Sequence, residues 1–268
     1  MPMSNNSGAG EGRLAGRVAL VTGATSGLGQ AIAAGFARQG AQVAICGRRE
    51  EVGQAVAEDI RQAGGEAVFV TCDVADGEQV RDLVARTVAA FGRLDIAVNN
   101  AGLGAAGAKL AELTEEEFDS VLATNLRGVW LCMKHEIRQF QAQADGGCII
   151  NMGSVLGQVA LATGSQYSAA HYVAAKHAIE GLTKTAAADY GREGIRVNTL
   201  APGVVATAIS EHVITDEAPL ISRWRERIPL GRLAAVEDVV GAAVFLASAD
   251  AAYVSGTSLV VDGGFLAQ

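Results

Sequence analysis

Tyr172 and Lys176 stand four residues apart in HYVAAKHAIEGL, a helical spacing that places two side chains on one face. An ordinary phenol ionises near pH 10, and a cation close by lowers that by about 1–3 units. The pair is therefore a candidate for moving a proton near neutral pH. Tyr167 lies in the same segment, but the residue four positions after it is His171 rather than a lysine, so Tyr172 is preferred. Ser154 follows the apolar run CIINM and offers a hydroxyl of the kind that stabilises charge developing on a reacting oxygen. Near the N-terminus, TGATSGLG puts Gly23, Gly27 and Gly29 where backbone amides can close on a phosphate. Taken singly, each feature has a commonplace reading as a surface pair, a turn serine or a tight turn.

The elements that must hold these residues alternate along the chain. Short β-branched runs read as strands at Val18 to Thr22, Gln42 to Cys46, from Ala67, from Leu94, from Cys148, from Ile195 and at Leu259 to Asp262. Between them lie helical stretches: Gln30 to Gln39, a charged amphipathic run to about Gly64, Asp76 to Phe91, about Thr114 to Gln141 and about Ser168 to Tyr190. Thr114 with Glu117 forms a capping-box pattern. Strands apolar on both faces and separated by helices predict an α/β fold, a doubly wound parallel sheet with helices on both faces. Such a sheet binds ligands beyond the carboxyl ends of its strands, where TGATSGLG and Ser154 fall.

The chain has 268 residues, half of them hydrophobic, enough for one domain spanning 14–268. Residues 1–13 are polar and glycine-rich, which predicts a mobile tail without the apolar core of a signal peptide or membrane anchor. A net charge of −8 with scattered Lys and Arg argues against nucleic acid and anionic membranes as partners. Cys46, Cys72, Cys132 and Cys148 are far apart and lack metal-ligand spacing, as do His171 and His177. They read as buried, reduced thiols of a cytoplasmic protein.

The spacing GxxxGxG differs from the usual GxGxxG and resembles that of the short-chain dehydrogenase/reductase family. Further motifs extend the resemblance from about Arg17 to the C-terminus: NNAG at 99–102, Asn125 in TNLRG, Ser154 in NMGS, Tyr172 and Lys176 in YxxxK, and Pro202 with Gly203. The resemblance implies a Rossmann-type domain with a seven-stranded sheet and hydride transfer between an alcohol and a ketone. Tyr172 would be the acid/base, Ser154 would bond the substrate oxygen, and Lys176 would reach the nicotinamide ribose. Asn125 would hold a water that relays protons through Lys176. Cofactor contacts would come from Gly23, Thr25, Ser26, Gly27, Leu28 and Gly29 in the loop, and from Asn99, Ala101 and Gly102. Asp73 and Val74 would line the adenine pocket, and Pro202, Gly203, Val205 and Thr207 the nicotinamide side. The resemblance further implies a homotetramer, and the ending VDGGFLAQ is similar to that of members whose C-terminal carboxylate, here that of Gln268, helps hold a structural magnesium ion. The interval from Ser154 to Tyr172 is longer than the family's.

Gly47 occupies the place at the end of the second strand where NAD-specific enzymes carry an acid. Arg48 follows, and a guanidinium there can pair with the ribose phosphate of NADP, so NADP(H) is preferred over NAD(H). Ser26 stands where many NADP-preferring relatives place a second basic residue. The substrate is expected to be a small ketone or secondary alcohol, selected by the loop after Ser154 and by the stretch from Ala206 to about Leu230. A 3-oxoacyl thioester reductase, a sugar or polyol dehydrogenase, and a non-catalytic dinucleotide-binding regulator are the alternatives.

Overall fold

The computed structural model describes residues 12–104, 109–160, 169–206 and 224–268. Seven strands form one parallel sheet: β1 (Val18–Val21), β2 (Gln42–Gly47), β3 (Glu66–Thr71), β4 (Ile96–Asn99), β5 (Gly147–Met152), β6 (Ile195–Pro202) and β7 (Ser258–Val261). Their order is β3-β2-β1-β4-β5-β6-β7, as the doubly wound reading requires. The order reverses direction between β1 and β4, and that is where a crevice opens beyond the strand ends.

The helices are α1 (Gly27–Arg38), α2 (Glu50–Gln62), α3 (Gly77–Phe91), α4 (Glu115–Leu122), α5 (Val129–Gln143), α6 (Ala170–Tyr190) and α7 (Val236–Ala247). Two apolar layers enclose the sheet. Val43 and Ile45 of β2 pack with Ile32 and Phe36 of α1, Ile60 of α2 and Val239 of α7. Ala44 and Cys46 turn the other way, toward Leu83 of α3, Phe140 of α5 and Ile179 of α6. Alternate strand residues thus feed opposite layers, and right-handed crossovers put helices on both. All four cysteines are buried and free.

Three features depart from the sequence-based expectation. Helix α7 was not expected: VEDVVGAAVFLA is apolar nearly all round, as suits a buried helix, and lacks an amphipathic signature. The long helix expected from Thr114 is broken by a π-helical turn at Ala123–Gly128, although the Thr114 capping box forms as expected. Beneath the sheet, the Asn99 amide donates to Glu136 Oε2 and Asn151 Oδ1, both at 3.0 Å. Asn151 in turn donates to Thr183 Oγ1 at 3.0 Å.

Glu136 is fully enclosed, and burial pushes its carboxyl up to about 8, against the opposing hydrogen bond from Asn99. In the unfolded chain the same group ionises near pH 4.5. Between those values the unfolded state releases a proton that the folded state retains, so folding stability should fall as pH rises from about 5 to 8. The slope is at most about 1.4 kcal/mol per pH unit. Urea unfolding across that range should show the slope in the wild type and its loss in Glu136→Gln.

Candidate active site

The first part of the site is the turn from β1 into α1. Gly23 has φ 64°, a left-handed conformation that glycine tolerates, and a Cβ there would come within 2.6 Å of Ala101 Cα. Thr22 Oγ1 accepts from the amides of Asn100 and Ala101 at 3.0 and 3.1 Å. The Asn100 side chain returns the tie, donating to the carbonyls of Thr22 and Gly23 at 3.0 and 3.1 Å. The glycine loop and the NNAG turn are therefore one rigid unit. Thr22 and Asn100 escaped the site prediction, although Asn100 lies inside the NNAG motif.

Helix α1 begins after Ser26 with no side-chain cap and no acidic residue in its first turn. By contrast, α3 is capped by Asp76 and α4 by Thr114. The uncapped amides and positive dipole end over Gly27, Leu28 and Gly29 suit a pyrophosphate. The residues present therefore fit the dinucleotide that the sequence pattern implies.

The second part is the pair of elements that bring Ser154 to Tyr172. Ser154 ends the loop after β5 and opens a 3-10 turn, accepting from Leu156 N at 3.1 Å. That turn lies directly on α6: a Cβ at Gly157 would sit 2.9 Å from the Lys176 carbonyl. Helix α6 is rich in alanine, a strong helix former, and buries His171, Ala175, Ile179 and Thr183 in one row. Tyr172 and Lys176 lie beside this row, with Lys176 Nζ 5.4 Å from the Tyr172 ring centre. Tyr172 is hydrogen-bonded to Ser154. Lys176 is buried and its Nζ donates to the Met152 carbonyl at 2.5 Å, which fastens α6 to the end of β5.

Burial sets the charge state of both groups. It pushes the Tyr172 phenol above its ordinary value, and the Ser154 hydrogen bond pulls back only part of that. It pushes the Lys176 ammonium down to about 8. The spacing alone suggested a phenol depressed by Lys176. In the fold, loss of solvent outweighs attraction because the lysine is itself desolvated and turned to Met152.

Asn125 sits in the π-helical turn, fully buried. Its Oδ1 accepts from Leu103 N at 2.7 Å and its Nδ2 donates to Leu103 O at 2.9 Å, fixing the chain just after Gly102. Insertions of this kind concentrate at functional sites. The side chain of Asn99, a residue expected to contact cofactor, lies in the interior network with Glu136 and Asn151. Asp73 is half-buried and accepts from Ala75 N at 3.0 Å, with Val74 buried beside it. Gly203 donates to Val261 O at 2.9 Å after Pro202 ends β6, and Val205 bridges to Ala234. Thr207 and Tyr167 lie outside the described residues, as does 207–223 of the expected substrate-selecting stretch. Gln268 donates its side-chain amide to Arg227 O. Among the described residues no group of three His, Cys, Asp or Glu side chains could hold a metal, and no helix is long and apolar enough to cross a membrane.

A family model described as enoyl-(acyl carrier protein) reductase matches residues 23–266. The chain belongs to the short-chain dehydrogenase/reductase family and is an oxidoreductase of CH–OH groups. It is 41% identical over 254 residues to 2,5-dichloro-2,5-cyclohexadiene-1,4-diol dehydrogenase of Sphingobium indicum, covering 95% of this chain and 98% of that one. It is 43% identical over 251 residues to cis-4-hydroxycyclohexanecarboxylate dehydrogenase of Sinomonas cyclohexanicum, covering 94% and 97%. Among solved structures, the gluconate 5-dehydrogenase of Burkholderia cenocepacia in complex with NADP and tartrate superposes with a TM-score of 0.89. That match has 37% identity and covers 96% of this chain and 97% of the other.

Asn100→Ala should remove the two side-chain hydrogen bonds from the NNAG turn to the glycine loop, leaving in place the two backbone ones that Thr22 Oγ1 accepts. The expected outcome in urea unfolding is a stability loss of about 1–3 kcal/mol, together with weaker dinucleotide binding by fluorescence titration.

Proposed function

We propose that the protein interconverts a secondary alcohol and a ketone with NADP(H), and that Tyr172 is its general acid/base. The observation that carries this reading is the Ser154–Tyr172–Lys176 group, hydrogen-bonded and fastened to the end of β5, at the same carboxyl end of the parallel sheet as the uncapped N-terminus of α1. A bound nicotinamide dinucleotide supplies or accepts the hydride. In reduction, the Tyr172 hydroxyl gives its proton to the carbonyl oxygen as negative charge develops there. In oxidation, it takes the proton back. Ser154 donates to the same oxygen and stabilises that charge. Lys176, brought near neutrality by burial, is placed to pass protons onward from Tyr172. Asn125 positions this assembly by holding Leu103.

The substrate class we favour is a ring-borne or polyol-type secondary alcohol. Both cited relatives at 41% and 43% identity are named for alcohols on six-membered rings, and a relative at 42% identity is named D-threitol dehydrogenase. NADP is favoured over NAD because β2 ends in Gly47 rather than an acid and two arginines follow. The gluconate 5-dehydrogenase neighbour was solved with NADP. A homotetramer is proposed from the resemblance, with exposed Phe118 and Trp130 on α4 and α5 as the apolar surface it would cover. Light scattering at working concentration tests it, with four chains per particle expected.

Tyr172→Phe removes the transferable proton but keeps the ring. Turnover of cyclic and acyclic secondary alcohols with NADP, followed at the reduced-nicotinamide absorbance band, should fall by about 10²–10⁴-fold, with dinucleotide affinity nearly unchanged. Near-normal turnover in that variant would remove Tyr172 from the mechanism.

A further inference from the structure

Two buried oxygen atoms beneath the NNAG turn face no donor. Glu136 Oε1 and Asn99 Oδ1 are both shut off from solvent, and neither has a hydrogen-bond partner. Their side chains are already joined by one bond, from the Asn99 amide to Glu136 Oε2 at 3.0 Å. We propose that Glu136 is a positioning residue that acts on the dinucleotide site through Asn99: its Oε1 carries a proton and donates to Asn99 Oδ1, closing a two-bond ring of acid and amide that holds the NNAG turn. This role rests on the dinucleotide reading above and belongs to a residue outside the Ser154–Tyr172–Lys176 group.

Three observations support it. The first is the balance of donors and acceptors. A carboxylate only accepts, so an ionised Glu136 leaves two interior acceptors unpaired, an arrangement that folded proteins avoid. One proton on Oε1 satisfies both atoms at once. The second is the orientation of the amide. Asn99 Nδ2 donates to Glu136 Oε2 and to Asn151 Oδ1, both at 3.0 Å. The Asn151 amide is turned the other way, to Thr183 Oγ1 at 3.0 Å and Met133 Sδ at 3.4 Å. Exchanging the oxygen and nitrogen of Asn99 would set its oxygen against two acceptors, so Oδ1 stays where it is and needs a donor.

The third observation is the absence of a counter-charge. The network reaches Glu136 from β4 through Asn99, and continues through Asn151 of β5, Thr183 of α6 and Thr199 of β6, all of them neutral. On its own helix the nearby titratable group is Cys132, whose thiol is pushed up by burial and then by the Glu136 charge, so it stays protonated. Among the described residues no Lys, Arg, His or second carboxylate of any neighbouring element acts on Glu136, and burial pushes it up to about 8. At neutral pH the proton that the ring needs is therefore in place.

The consequence reaches the glycine loop because Asn99 and Asn100 are consecutive. Asn100 donates to the carbonyls of Thr22 and Gly23, and Asn99, one residue earlier, anchors that turn to α5 and β5. Removing the proton opens one bond of the ring and places a negative charge beneath the turn.

The proton is read directly by the infrared difference between the wild type and Glu136→Gln, both without dinucleotide. The wild type should show the carbonyl band of a protonated carboxylic acid at neutral pH, and the band should vanish above about pH 8. The positioning role is read by fluorescence titration with NADP in the wild type, Glu136→Gln and Glu136→Met. Glu136→Gln keeps a ring at every pH, since its amide donates to Asn99 Oδ1, whereas Glu136→Met forms none. On passing from neutral pH to above about 8, wild-type affinity should fall about 3- to 10-fold relative to Glu136→Gln. Glu136→Met should bind more weakly than Glu136→Gln throughout. Titration of Lys176 is common to all three proteins and cancels in the comparison. If Glu136→Met does not fold, the wild type against Glu136→Gln decides the role. Absence of the acid band at neutral pH would overturn the placement of the proton. A band present while the wild type and Glu136→Gln keep a constant affinity ratio across pH would overturn the positioning role. A wild type that binds no dinucleotide would overturn the dinucleotide reading, with the infrared result unaffected.

Discussion

Desolvation of Tyr172 and Lys176 where α6 crosses the end of β5 is the constraint on which the site depends. The Lys176 ammonium is held there by one carbonyl, that of Met152, and burial brings it to about 8. The same burial keeps the neighbouring phenol protonated. Burial thus raises the phenol and lowers the ammonium, so near neutral pH the phenol holds the proton that it would give to a reacting oxygen. Ser154 enters this environment because the turn it opens packs against α6 without a Cβ at Gly157.

The sheet supplies the other half of the site. Its order reverses between β1 and β4, so the glycine loop and the NNAG turn emerge side by side, and Thr22 and Asn100 join them with four hydrogen bonds. The loop keeps its shape through these bonds, and the N-terminus of α1 is left without a capping side chain. The two asparagines of one motif tie different parts of the fold. Asn99 points down to Glu136 and Asn151, and Asn100 points across to the loop.

Much of this was legible in the sequence because it rests on period and spacing. The seven strands, the capping box at Thr114 and the pairing of Tyr172 with Lys176 follow from the repeat lengths of strand and helix. What escaped depends on direction in space. Nothing in ATNLRG distinguishes a π-helical turn from an ordinary helix, and VEDVVGAAVFLA conceals α7 because a helix buried on most sides has no polar face to mark it. Glu136 reads as an ordinary polar position of a long helix, yet the turn at Asn125 precedes it and its side chain faces the sheet. The depressed phenol expected from the Tyr–Lys spacing did not appear, because spacing does not report desolvation.

The central claim is that hydride transfer is coupled to a proton held by Tyr172 beside the buried Lys176. Its most direct test is the pH dependence of kcat/KM measured in both directions on one alcohol–ketone pair. The account predicts that oxidation rises with pH and reduction falls with pH, the two sharing an apparent pKa at or above about 8. Rates independent of pH in both directions across that range, with the protein folded and dinucleotide bound throughout, would contradict it.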